Sequence, residues 1–207
     1  MGTKSDAGKG DAPRPLSISR EQYEKNYMKI FGEPMKDLML DIETLGNKPD
    51  AVIVQIGACY FDRYTGEIGD TFSINIRPQD CINQGFTVDG DTIKWWMEQA
   101  EHSWTIGGLD LRPALERFKQ FAKDAKYVWS HATFDVPILT NAYKKLIIGM
   151  PFHYRAARDL RTLVDLANIE YTPSAERECQ HDALGDCKYQ VEYAVRCINK
   201  LKGETND

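Results

Sequence analysis

No apolar run in the 207 residues approaches the roughly 20 needed to cross a bilayer, so a membrane-spanning helix is excluded. The chain opens on polar residues without an apolar leader, and the expected compartment is the cytoplasm. Cysteine is sparse: there are five, an odd number, with no Cys-x-x-Cys pair. That argues against a disulfide framework or a thiolate zinc cluster and for reduced thiols. Positive charge is short as well, with 26 Lys and Arg against 31 Asp and Glu, a net charge of −5. Proteins that grip long stretches of nucleic acid carry a basic footprint, because phosphate neutralisation drives such binding. A partner of that kind would be engaged over a short end, with metal ions supplying part of the positive charge. There is no internal repeat. What is present is the balance of one globular domain, 42% hydrophobic and 28% charged, long enough to bury a core.

Residues 1–34 read as an appendage: a polar, flexible stretch rich in Gly, Pro and Lys, then a short helix capped by Ser19 and ended by Gly32 and Pro34. The domain proper is expected over 35–202, with 203–207 as a tail. Asp37–Glu43, Val52–Phe61 and Phe72–Ile76 read as three strands of an antiparallel meander, with Gly66 in the second turn. Helical spacing follows, from Asp91 or Thr92 through Met97 and again over Leu111, Leu115, Phe118 and Ala122. Tyr127–Ser130 is a fourth strand, and Pro137 opens a helix burying Leu139, Ala142, Tyr143 and Leu146. Leu160–Ala167 is a further short element. A last helix from about Asp182 carries Leu184, Cys187, Val191, Ala194, Ile198 and Leu201 at 3–4 spacing. Strands first, then helix–strand–helix, is the pattern of an α/β sheet flanked by helices.

Acidic residues stand at the ends of these elements. Asp41 and Glu43 alternate on one face of an apolar strand, where two like charges are unfavourable unless a cation lies between them. Strand-end acids reaching solvent are the plainer alternative. Asp135 precedes a helix, and an N-cap would account for it; a strand end is equally where open α/β sheets present ligand sites. His181 lies just before the last helix, and Asp186 in its first turn, where a carboxylate favours the helix dipole. Four converging carboxylates need cations to stay ionised. Oxygen ligands without thiolates favour Mg²⁺ or Mn²⁺ over zinc. Two such ions suit in-line displacement at phosphorus, with His181 as general base near neutrality.

Asp41-Ile42-Glu43-Thr44, the run from Ser130 to Asp135, and His181-x-x-x-x-Asp186 resemble the three motifs of the DEDDh exonucleases. That family includes proofreading subunits, oligoribonuclease and ribonuclease T. The resemblance covers roughly residues 37–200. It implies a ribonuclease H-like fold with a mixed five-stranded sheet, two divalent ions, and release of 5′-mononucleotides from a 3′ end. It matches Asp41, Glu43, Asp135 and Asp186 to metal ligands and His181 to the general base. Trp95-Trp96, the run from Arg158 to Thr162 and the run from His181 to Cys187 are similar to the phage-encoded exonuclease A group and to a group of small bacterial 3′→5′ exoribonucleases. A phage- or bacterium-encoded protein acting in the host cytoplasm is implied, with DNA favoured over short RNA. Some relatives are homodimers, an assembly the resemblance leaves open.

By the family pattern Thr44 and Leu45 meet the terminal nucleotide, with Leu45 against a base, and Phe134 flanks the same pocket. Trp96 or Trp95 offers a stacking surface, although helical spacing puts one of the two in the core. Arg158 and Arg161 are candidates to hold a phosphate, the alternative being pairing with Asp159 or Asp165. A non-catalytic nucleic-acid-binding or polymerase-associated module of the same fold would have lost at least one of the five motif residues, and all five are present.

Overall fold

Leu38, Leu40 and Ile42 alternate with Met39, Asp41 and Glu43 along β1 (Asp37–Thr44), which is buried on both faces. A strand buried on both faces belongs in the middle of a covered sheet. In the computed structural model, which describes residues 35–99, 105, 107–170 and 181–203, β1 occupies that place. The appendage expected over residues 1–34 lies outside the described residues, as do 204–207. On one side β1 pairs antiparallel with β2 (Ile53–Phe61), which pairs antiparallel with β3 (Ile68–Asn75). On the other side it runs parallel to β4 (Tyr127–Ser130), itself parallel to β5 (Ala157–Asp159). The order β3-β2-β1-β4-β5 is a mixed five-stranded sheet, and the expected meander is present with Gly66 at φ +78° in its second turn. β3 starts at Ile68, ahead of the expected Phe72, because its first half is an exposed edge without apolar alternation.

The helices are α1 (Pro78–Asn83), α2 (Gly90–Glu98), α3 (Leu111–Ala122), α4 (Asp135–Lys145), α5 (Leu160–Ala167) and α6 (Ala183–Lys202). One face of the sheet, with Leu38, Leu40, Ile42, Ile56 and Ala58, packs on Leu115 and Phe118 of α3 and on Leu139 and Tyr143 of α4. The other face carries Met39, Cys59, Phe61 and Trp129 and packs on Leu160 of α5 and on Cys187, Val191 and Ala194 of α6. Strand parity therefore sends Asp41 and Glu43 toward the α5–α6 face, in line with Met39.

Two residues of β2 seat α6. A Cβ on Gly57 would lie 2.2 Å from the Ala183 carbonyl carbon and 2.3 Å from the Leu184 nitrogen, so only glycine lets the helix start so close. The Cys187 thiol donates to the Gly57 carbonyl at 3.3 Å. The Gln55 side chain donates to Asp182 at 3.1 Å and accepts from the Ala183 N–H at 2.9 Å. Asp182 also caps the helix, accepting from the Gly185 N–H, as expected. This docking fixes the height of His181 and Asp186 above the sheet.

Candidate active site

Pairing between β1 and β4 ends at Met39 and Trp129. Beyond that register β4 turns into the loop to α4, leaving the last half of β1 open on that side. Asp41 and Glu43 face the opening, Asp135 comes in from the first residue of α4, and His181 and Asp186 from the start of α6. All five line one cleft of about 350 Å³, together with Trp95, His131, Phe134, Arg161 and Gln190. Single ligand atoms of Asp41, His131 and Asp135 lie within 4.8 Å of one another, and so do those of Glu43, His181 and Asp186.

The electrostatics of β1 change along its length. Asp37, near its start, accepts from Arg63 at 2.9 and 2.5 Å and from the Trp129 indole at 2.7 Å, a buried charge with its partners in place. Asp41, farther along the same face, has the Gln190 amide at 2.8 Å. Burial first, then repulsion from Asp135, Glu43 and Asp186, holds its carboxyl well above the usual carboxylate range, against the pull of Gln190. Burial, then Asp186 and Asp135, lifts Glu43 to about 8. Burial raises Asp135 to about 7, although backbone N–H groups at Ile42 and His131 and the charge of Arg161 work the other way. The mutual repulsion anticipated from sequence is there, but desolvation is the larger cause. Asp135 Oδ2 is buried with no hydrogen-bond partner. Such a donor set, mostly hard oxygens with one orphaned, fits divalent cations.

The N-cap alternative for Asp135 is not what the structure contains. Phe134 holds the cap position without a side-chain bond, and Asp135 is already helical. Strand-end acids open to solvent are not found either, since Asp41 and Glu43 are each 8% exposed. His181 has φ +61°, a conformation that costs a non-glycine residue about 1–3 kcal/mol, and its ring meets Trp95 edge-on at 4.7 Å and Trp96 at 5.5 Å.

The substrate-side expectations divide. Thr44 and Phe134 line a second recess of about 460 Å³, which joins the acidic cleft at Ile42, Glu43, Trp95 and Phe134. Trp96 is the core tryptophan: it is buried, and its indole N–H donates to the Thr44 carbonyl at 2.9 Å. Trp95, 41% exposed, offers the free ring face instead. Leu45, expected against a base, is buried in the main core and lines neither recess, because its backbone pairs with Val52 and turns the side chain inward. Arg158 is also drawn away, since its guanidinium donates to the carbonyls of Arg155 and Ala157 and lies 4.6 Å over the Tyr127 ring. Arg161 does reach the acidic cleft. A third recess, about 550 Å³ between α5 and α6, continues the groove through His131, Arg161 and Gln190.

His131 and Gln190 were not singled out from sequence. Gln190 stands one helical turn after Asp186, and its neighbourhood to Asp41 depends on α6 crossing β1, which no local pattern reveals. His131 lies inside a quoted motif, four residues before Asp135. Burial, then the charge of Arg161, takes its imidazole from 6.5 down to about 4, with Asp159 opposing.

No curated protein matches the chain. Among solved structures, apo exonuclease I superposes with a TM-score of 0.58 at 14% identity, over 79% of this chain and 41% of that one. E. coli exonuclease I bound to a dA16 oligonucleotide does so with a TM-score of 0.58 at 16% identity, over 79% and 40%. The zinc-bound complex of the E. coli enzyme with single-stranded DNA gives 0.58 at 14%, over 81% and 41%. At these identities the likeness is one of fold, the ribonuclease H-like nuclease fold, and the chain spans about two fifths of the length of those proteins. A family model described as the 3′-5′ exoribonuclease Rv2179c-like domain matches residues 36–198, nearly the whole described domain. The chain belongs to that family, the 3′-5′ exoribonuclease Rv2179c-like domain.

Proposed function

We propose that the protein removes 5′-mononucleotides one at a time from single-stranded 3′ ends, with Asp41, Glu43, Asp135 and Asp186 holding two Mg²⁺ or Mn²⁺ ions and His181 as the general base of a DEDDh-type site. The observation that carries this reading is the convergence of four carboxylates and one histidine, from β1, α4 and α6, in a single cleft. Bound there, the ions would neutralise the charge building on the phosphoryl group and acidify the attacking water. His181, placed at the lip by α6 and held edge-on to Trp95, takes the proton from that water. Trp95 and Phe134 close over the recess floored by Thr44, where the terminal nucleoside sits. Arg161 meets a phosphate on the far side, and the strand leaves past His131 between α5 and α6. Placement by the positioned base and the positive charge of ions held by the oriented carboxylates would supply most of the rate.

DNA as the polymer is supported by the similarity of the tryptophan pair and of the run from His181 to Cys187 to the phage exonuclease A group. RNA is supported by the description of the family to which the chain belongs. One experiment separates them. Single-stranded DNA and RNA of equal sequence, labelled at the 3′ or the 5′ end, are incubated with wild type and with His181→Ala in Mg²⁺, Mn²⁺ or chelator. Shortening from the 3′ end, abolished by chelator and reduced about 10²–10⁴-fold by the substitution, is the expected outcome; the faster polymer names the substrate. No digestion of either polymer by folded protein with either ion would turn the reading to a binding module. Light scattering of the same sample decides between monomer and homodimer.

A further inference from the structure

The acidic cleft contains two histidines, and the proposed mechanism uses one. The five motif residues divide with His131 into two triads of similar make-up: Glu43, His181 and Asp186 on one side, Asp41, His131 and Asp135 on the other. We propose that His131 is a nitrogen ligand to the ion held by Asp41 and Asp135, and that it makes this position favour Mn²⁺ over Mg²⁺. The inference rests on the two-ion reading above and assigns a residue which that reading leaves idle.

Four observations place the imidazole there. Ligand atoms of His131, Asp41 and Asp135 are all within 4.8 Å of one another. Two ligands of one octahedral ion stand roughly 3 Å apart when adjacent and roughly 4.2 Å when opposite, given bonds of about 2.1 Å, so small side-chain adjustments close the shell. The histidine is fixed from behind. Its carbonyl accepts from the Phe134 N–H at 2.7 Å and the Asp135 N–H at 3.1 Å, and the next N–H, of Ala132, donates to Asp159 at 3.0 Å. That turn holds His131 and Asp135 toward the same cleft. The neighbouring oxygens are free to coordinate: Asp135 Oδ2 is buried without a partner, and Gln190 occupies only Oδ1 of Asp41.

The chemistry of the set decides the preference. Mg²⁺ wants hard oxygen donors and gives up water reluctantly, whereas an imidazole nitrogen binds Mn²⁺ more readily. Replacing one oxygen by nitrogen in an otherwise carboxylate shell therefore separates two ions that an all-oxygen site treats much alike.

The test uses the full chain, stripped of metal and titrated calorimetrically with Mn²⁺ and with Mg²⁺, while pulsed electron paramagnetic resonance reads the coupling of bound Mn²⁺ to ¹⁴N. Expected are a nitrogen coupling in wild type, its loss in His131→Ala and its survival in His181→Ala. Mn²⁺ affinity at one site of His131→Ala should fall at least about tenfold, with Mg²⁺ affinity changed far less. If His131→Ala does not fold, His131→Asn serves in its place. Labelling wild type and His181→Ala with [¹⁵N]histidine must then change the coupling pattern in both. Mn²⁺ bound without nitrogen coupling, coupling that persists in His131→Ala, or an equal loss of both affinities overturns the assignment while leaving the two-ion site standing. Absence of any Mn²⁺ binding to wild type overturns both.

Discussion

The carboxylates of the cleft make the metal-free domain sensitive to alkali, in a direction opposite to ordinary acid denaturation. Glu43 and Asp135 retain protons in the folded domain up to about 8 and about 7, and release them near 4.5 and 3.8 when the chain unfolds. Over that interval the folded state binds more protons at these two groups than the unfolded one, so the stability they contribute is complete below about pH 4 and is lost as the pH rises toward 8. A tenfold change in acidity is worth about 1.4 kcal/mol, which puts Glu43 alone on the order of 5 kcal/mol by pH 9. Domains of this kind are stable by about 5–15 kcal/mol in total, so the effect is large. At 2–4 °C per kcal/mol for a chain of this size, Tm of the metal-free protein should be on the order of 10–20 °C lower at pH 9 than at pH 5. Divalent ions at a hundred times their Kd should restore about 2.7 kcal/mol, and more of that at pH 8 than at pH 5, where protons compete for the same oxygens. Differential scanning calorimetry of chelator-treated protein from pH 5 to 9, with and without Mn²⁺, measures both effects. The double substitution Glu43→Gln and Asp135→Asn should flatten the pH dependence. A Tm that does not fall with pH, or a slope unchanged in the double variant, would refute the reasoning.

Three further outcomes are expected. Gly57→Ala drives a methyl into the backbone at the start of α6 and should cost about 1–3 kcal/mol, with kcat down by tenfold or more because His181 and Asp186 move; a variant with wild-type Tm and kcat would show that the approach of α6 is not needed. Trp95→Ala should raise KM by about tenfold or more through lost stacking while leaving Tm nearly unchanged. Trp96→Phe should do the reverse, lowering stability by about 1 kcal/mol through the bond to Thr44 with little effect on KM. Melting curves and initial rates on a short oligonucleotide distinguish the two.

The parts of the fold written in the sequence are those with a local period. β1, β2, β4 and the long helices carry apolar residues at strand or helix spacing, and their observed bounds lie close to the expected ones. The antiparallel meander was legible because each connection is short. β5 has three residues and α1 six, too few to display any period, and neither was singled out. At the cleft, the same rules located the acids at element ends, but the partners of those acids are set by crossings. Whether Arg161 or Arg158 reaches the cleft depends on β5 giving way to α5 between them, with Arg158 on the strand over Tyr127 and Arg161 on the helix. Which tryptophan is core depends on the side of α2 that meets Thr44. Leu45 was assigned outward by family pattern, whereas its backbone pairing with Val52 sends it inward.

The arrangement of α6 also bears on the order in which the cleft is assembled during synthesis. Gln190 touches Asp41 across 149 positions of chain, and at translation rates of 5–20 residues per second about 7–30 s separate their synthesis. During that interval β1, β2 and β3 can pair through near neighbours, but the emerging polypeptide lacks His181, Asp186 and Gln190. The cleft is thus completed late: the strand bearing its first two carboxylates is made early, and α6, which closes it, is made well after, with Gly57 left bare to receive it.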